Sequence, residues 1–286
     1  MTSEMVLSLL LATGARQAQP AGAATPAPVS IRWEKNFDEA LRKARHAGKP
    51  VIVDFWADWC SWCERLDETT YVDPWVVRRA QEFVPVKVNT EGSRRELEVA
   101  RRYQVISLPT IVFLSPEGRQ LGRIDGYQGP GHFPHTLDAA LTVAKRVMSW
   151  EDALARNPDD PRALALLGAH SYEQMYVEEA RDLLRRAVLR DSEEPGDDRR
   201  RSRMLLAYLE SLSRNFPAAE KLAKEALALD PNGEDEPKLL FVLGRTYVSW
   251  GRNEDAVATM EIIVRQYPQS PVAQKARETL SGLKLR

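Results

Sequence analysis

Between Ile31 and about Met148 the pattern of apolar and polar positions keeps changing period, whereas beyond Trp150 it stays helical to the end of the chain. In the first stretch the alternation of helical and strand-like runs predicts an α/β unit. Asn36 with Glu39 three residues on is a capping-box signature for a helix running to about His46, ended by Gly48 and Pro50. Val51 to Ala57 reads as a buried strand. Ser61 to Phe83 has helical spacing, but Asp73-Pro74 is an N-cap followed by a proline at N1, so two helices are expected to meet there. Val84 to Val88 is a second short strand, and Ser93 with Glu96 caps a helix running to about Tyr103. Thr110 to Leu114 is a strand, Ser115 to Gly118 a turn, and Gln120 to Tyr127 the antiparallel partner, with a last helix after Gly131.

The second stretch repeats itself. Leu167-Gly168, Ala180 and Ala187 correspond to Leu206-Ala207, Ala219, Ala226 and Pro231, and again to Leu243-Gly244, Tyr247, Ala256 and Pro268. These spacings are those of a helix-turn-helix unit of about 34 residues, with small residues where helices cross closely. The segment from residue 161 to 270 resembles the tetratricopeptide family, with extra loop residues around Asp191 to Asp198. Two positions depart from the pattern: Ser192 stands where a terminal proline belongs, and Glu210 occupies the aromatic position. Pro271 to Leu283 is expected to cap the array. Such arrays leave a concave surface open, which in this family usually takes a peptide or protein. Arg199-Arg200-Arg201 reads as a solvated helix start in preference to a binding patch.

Charge and composition narrow the partners. The chain has 286 residues, 40 basic against 41 acidic, so no overall field favours nucleic acid or an anionic membrane. Its length suits two domains. The four histidines, His46, His132, His135 and His170, show no ligand spacing to the two cysteines, and structural zinc normally needs four ligands; no metal or dissociable cofactor is expected. Met5 to Ala12 is a short apolar run, too short to span a bilayer, ahead of an Ala- and Pro-rich stretch from Ala15 to Pro28 that would suit a cleavage region and linker. Export is expected from it, although Glu4 and the lack of any Lys or Arg before the run leave a cytoplasmic location as the alternative.

The candidate chemistry lies in Val53 to Leu66, VDFWADWCSWCERL, which holds both cysteines. A redox pair, half of a metal site and two neighbouring buried thiols are all compatible with Cys60 and Cys63 taken alone. At the amino end of a helix, Cys60 would meet unpaired N–H groups and the positive end of the dipole, which favour thiolate. A second cysteine one turn on could attack a mixed disulfide on the first. Asp54 interrupts an apolar strand, where an unpaired carboxylate is costly and its pKa should rise unless it lies exposed at an edge.

Val53 to Cys63 together with Ser107-Leu108-Pro109-Thr110 resembles the active-site strand and cis-proline segment of the thioredoxin family. Over Ile31 to Leu141 the chain is most similar to the C-terminal thioredoxin-like domain of bacterial DsbD-type thiol:disulfide interchange proteins, without their membrane-spanning part. The resemblance implies a thioredoxin fold, a mixed sheet flanked by helices, followed by an all-α solenoid. It divides the chain into a signal-like segment and linker (1–29), a thioredoxin-like domain (30–149) and a tetratricopeptide domain of about three repeats plus a capping helix (150–286).

It also implies site roles. Cys60 would be the nucleophile and Cys63 the resolving thiol; Asp54 would be a buried acid that helps deprotonate Cys63, with Lys87 near it. Pro109 would be cis and lie against the pair. Leu108 and Thr110 would flank an extended substrate, and Trp59, Ser61 and Trp62 would contact it; Trp62 departs from the usual small residue or proline, which leaves the redox poise open. The implied function is a thiol:disulfide oxidoreductase acting on disulfide-containing proteins, fed by a thiol electron-donor protein, with the solenoid holding a protein partner. The rival expectations are an oxidant of secreted proteins, and an adaptor whose thioredoxin domain is a platform or sensor.

Overall fold

In a computed structural model describing residues 30–190 and 196–284, four strands form one mixed sheet in the order β2-β1-β3-β4. β1 is Val51–Trp56, β2 Val84–Asn89, β3 Thr110–Leu114 and β4 Gln120–Asp125. β1 pairs parallel with β2 and antiparallel with β3, and β3 pairs antiparallel with β4. The signal-like segment 1–29 lies outside the described residues.

The alternation of strand side chains sorts the core into two layers. Val51, Val53 and Phe55 of β1 pack with Val86, Val88, Val112 and Leu114 against α1 (Phe37–Ala47) and α4 (Arg94–Arg102). On the opposite face Ile52, Ile111 and Phe113 meet Leu66, Tyr71 and the helices α3 (Pro74–Ala80) and α5 (Phe133–Arg156). Register therefore sets Asp54 on this second face, the one covered by the segment that begins at Cys60. Local signals act as their chemistry dictates: Asn36 Oδ1 accepts from the Glu39 N–H at 2.9 Å, Asp73 caps α3, and Ser93 with Glu96 forms a complete capping box.

The second layer continues into the helical half. Leu164, Ala165 and Leu167 of α6 (Pro161–Glu173) and Leu183 and Ala187 of α7 (Val177–Arg190) belong to the same apolar cluster as Phe113 and Leu137. The 24-residue α5 crosses residue 150 without a break. Around this core a polar seam closes. Arg119 Nε donates to Glu151 at 3.1 Å, and its Nη1 lies 2.6 Å from Glu179. The Gln120 side chain bonds Gln174 and Tyr176, each at 3.1 Å, and His170 Nε2 lies 2.7 Å from the Gln120 carbonyl. His170 is thus a buried helical residue at the seam.

Beyond the seam, hairpins α8 (Gly196–Leu212) with α9 (Phe216–Leu229) and α10 (Glu236–Trp250) with α11 (Asn253–Gln266) are followed by α12 (Ala273–Lys284). The repeat's small residues allow close helix crossings: a Cβ at Gly168 would stand 2.8 Å from Leu184 Cγ. The expectation of a solvated helix start at Arg199 to Arg201 is corrected for Arg200, while Arg201 is exposed as expected. Arg200 is buried, its Nη1 2.9 Å from Asp230 Oδ2, and Arg201 pairs with Glu173 at 2.8 Å, because the start of α8 lies beside the ends of α9 and α6. Of the expected loop, residues 191–195 lie outside the described residues.

Candidate active site

Cys60 is the N-cap of α2 (Ser61–Arg65): its Sγ accepts the Cys63 N–H at 3.1 Å and its carbonyl accepts that of Glu64 at 3.2 Å. The pair is closed as a disulfide with Cα atoms 5.2 Å apart, and both residues are buried. From α2 the chain runs into a π-helical turn, Leu66–Thr70, which ends at Tyr71 before Asp73 starts α3. Ser61 is exposed. Trp59 and Trp62 are mostly exposed too, each fixed at one edge: Trp59 Nε1 donates to Glu91 at 2.7 Å, and the Trp62 ring lies 5.4 Å from that of Tyr127.

Leu108-Pro109 is a cis peptide bond, with Pro109 buried and its carbonyl accepting from Gly126 at 2.8 Å. Thr110 pairs in register with Phe55, so the prolyl segment falls beside the end of β1, where the cysteine loop departs. Thr110 is buried and its hydroxyl donates to the Ser107 carbonyl at 2.8 Å; Leu108 is half-buried.

Asp54 is only 1 % exposed, and neither carboxylate oxygen has a hydrogen-bond partner among the described residues. Opposite it in the parallel register stands Lys87, whose Nζ lies 3.2 Å from Oδ2. Burial pushes the Asp54 carboxyl up to about 6, against the opposing pull of Lys87. The lysine hydrogen-bonds elsewhere, donating to both oxygens of Asp67 at 2.6 and 2.7 Å. Trp33, Trp56 and Tyr71 surround its ammonium at 5.4, 5.8 and 5.6 Å from their ring centroids, within cation–π reach. The Tyr71 hydroxyl is buried, and burial beside Asp54 and Asp67 drives its pKa far up.

The structure thus brings Asp54 and Lys87 together on the face covered by the cysteine segment. Asp67 and the three rings around Lys87 were not singled out from the sequence. The only signal for Asp67 is its place four residues after Cys63; the π turn that aims it has no evident mark in the sequence.

Comparison with known proteins agrees with this geometry. Residues 37–141 match the Thioredoxin-like domain family. This segment is a thioredoxin-like domain. Residues 149–198 and 212–280 match tetratricopeptide repeat families. The thiol:disulfide interchange protein DsbD of Vibrio vulnificus (strain CMCP6) is 32% identical over 108 residues, 37% of this chain and 18% of that protein. DsbD of Cronobacter sakazakii is 34% identical over 109 residues, 37% of this chain and 19% of that protein. The chain therefore spans less than a fifth of the length of these relatives. Among solved structures, a thioredoxin from Thermus thermophilus is 31% identical, with a TM-score of 0.37, covering 40% of this chain and 90% of that one.

The tetratricopeptide half offers a groove between α8, α10 and α12 lined by Tyr208, Phe241, Val242, Arg245, Lys275 and Glu278. Among the described residues, no helix is long and apolar enough to cross a membrane.

Proposed function

We propose that the protein is an exported thiol:disulfide oxidoreductase that reduces protein disulfides, with the tetratricopeptide groove holding a protein partner. The observation that carries this reading is the Cys60–Cys63 pair at the start of a helix, over a sheet face that buries the carboxylate of Asp54 3.2 Å from Lys87 Nζ.

In the reduced protein the Cys60 thiolate, favoured by the helix N-terminus, attacks one sulfur of a client disulfide; that S–S bond breaks and the client's other sulfur leaves as a thiolate and takes up a proton. Cys63 then gives its proton to Asp54, and its thiolate attacks Cys60 Sγ in the mixed disulfide. The Cys60–Cys63 bond forms, the remaining client sulfur leaves, and the proton on Asp54 passes out with it. The client gains two electrons and two protons, and a dithiol protein must return the same to Cys60–Cys63. A carboxyl with a pKa of about 6 can accept and release that proton near neutrality. Trp59, Ser61, Trp62, Leu108 and Thr110 are the residues proposed to meet the client.

The test is reduction of a protein disulfide with dithiothreitol as electron source. Wild-type protein should accelerate it, Cys60→Ser should not, and Cys63→Ser should accumulate a mixed disulfide with the client. Equal rates for wild type and Cys60→Ser would rule this reading out.

A further inference from the structure

The groove between α8, α10 and α12 joins an apolar floor to unpaired charges of one sign. Helical spacing puts Phe241, Val242 and Arg245 on one face of α10. With Tyr208 of α8 and Lys275 of α12 they line a cavity of about 610 Å³, large enough for several side chains of a bound chain. Arg245 and Lys275 are exposed, and neither side chain has an ion pair or a hydrogen bond among the described residues. Elsewhere in the solenoid cations are drawn to acids of other helices, Arg185 to Glu210, Arg200 to Asp230 and Arg252 to Glu220. The acid on the groove wall, Glu278, is engaged by Gln274, whose Nε2 donates to it at 3.0 Å. The same sign continues along α8. Arg201, two turns before Tyr208 on that helix, lines a smaller cavity of about 140 Å³ with Arg146 and Trp150 of α5. Its carboxylate, Glu173, is paired with Arg201 at 2.8 Å, while Arg146 is exposed without an ion pair or side-chain hydrogen bond among the described residues. The whole chain is balanced, 40 basic residues against 41 acidic, so this surplus belongs to the groove and not to a general field.

We propose that the partner held here is an acidic segment within a protein chain, with carboxylate side chains on either side of an apolar or aromatic one. The proposal rests on the reading of the solenoid groove as a protein-binding surface and adds the chemistry of what it holds. Covering Arg245 and Lys275 with a neutral chain would strip water from two charges and return nothing. A carboxylate replaces that water with charge-assisted hydrogen bonds. Tyr208, Phe241 and Val242 then take the apolar side chain between the acids. The unpaired cations stand at two places along the array, Arg146 on α5 and Arg245 with Lys275 on α10 and α12. One terminal carboxylate cannot answer both, whereas a run of acids inside a chain can. Nucleic acid would match the local sign, but the balanced chain offers no wider field to gather a polyanion.

The experiment selects random dodecapeptides, displayed with their C-termini fused to a phage coat protein, on the full-length protein. The enriched sequences should carry Asp and Glu around an apolar or aromatic residue. Resynthesised with a fluorophore, such a peptide should bind the double variant Arg245→Glu with Lys275→Glu about tenfold more weakly or worse. Arg146→Glu should weaken it as well, and so should added salt. The three side chains are exposed and unpartnered, so these losses should come with the thermal midpoint of wild type. Amidating the peptide's C-terminus should change nothing. Neutral or basic enriched sequences overturn the proposal, as do acidic ones that bind the charge-reversed variants as well as wild type. Binding that needs a free C-terminal carboxylate, or tighter binding of single-stranded DNA, overturns it too. Each of those results still leaves the groove a binding surface; enrichment of no peptide at all would defeat that reading, and the proposal with it.

Discussion

The two halves of the chain each bury a carboxylate, and they treat it in opposite ways. Asp54 is 1 % exposed and Glu210 2 %. Glu210, in the repeat position where an aromatic was expected, has both oxygens satisfied: Arg185 donates to Oε1 at 3.0 and 2.6 Å, and Asn215 Nδ2 to Oε2 at 2.6 Å. Asp54 has no hydrogen bond among the described residues, only the Lys87 ammonium 3.2 Å from Oδ2, and that lysine donates its hydrogen bonds to Asp67. A fully satisfied buried carboxylate is part of what holds two helical hairpins together. A carboxylate kept short of partners is costly to the fold and useful for chemistry.

Substitutions at the two positions should therefore separate cleanly. The largest effect is on turnover: Asp54→Asn should slow disulfide reduction at neutral pH by about 10²-fold while raising the denaturation midpoint, both read on the same preparation. Next comes the pH dependence of stability. Burial lifts the folded-state carboxyl from its ordinary 3.8 to about 6, so the folded protein holds this proton more tightly than the unfolded chain. Stability from this group is present below about pH 4 and falls as pH rises through 6, by roughly 3 kcal/mol. The gap between wild type and Asp54→Asn in denaturant unfolding should accordingly widen from pH 4 to 7; a constant gap would break the contrast. Glu210→Ala should cost roughly 2 kcal/mol through lost charge-assisted hydrogen bonds and leave reductase activity unchanged. Smallest of all, Asn215→Ala should cost about 1 kcal/mol, since the arginine contacts to Glu210 survive.

Much of the fold was legible because its signals are local. Asn36, Asp73 and the Ser93/Glu96 pair cap helices where their spacing says they should, and the strand runs of 51–57, 84–88 and 110–114 differ from β1, β2 and β3 by at most a residue at an end. What was not legible depends on contacts between distant segments. The parallel register that sets Lys87 against Asp54 is a property of two strands, and the hand-off of that lysine to Asp67 needs a π turn that short-range propensity does not announce. Arg200 reads as an exposed charge until α9 ends with Asp230 beside it. In the same way His170 and Gln120 acquire partners only once the first helical hairpin docks on β4.

The most direct test equilibrates the purified protein in graded dithiol/disulfide buffers and counts free thiols by mass spectrometry. Cys60 and Cys63 should open and close together in one two-electron step, with a potential near that of thioredoxin, about −270 mV. A pair that never exchanges in any buffer would contradict the account, and a value near about −120 mV would contradict its direction, making the protein an oxidant of client thiols.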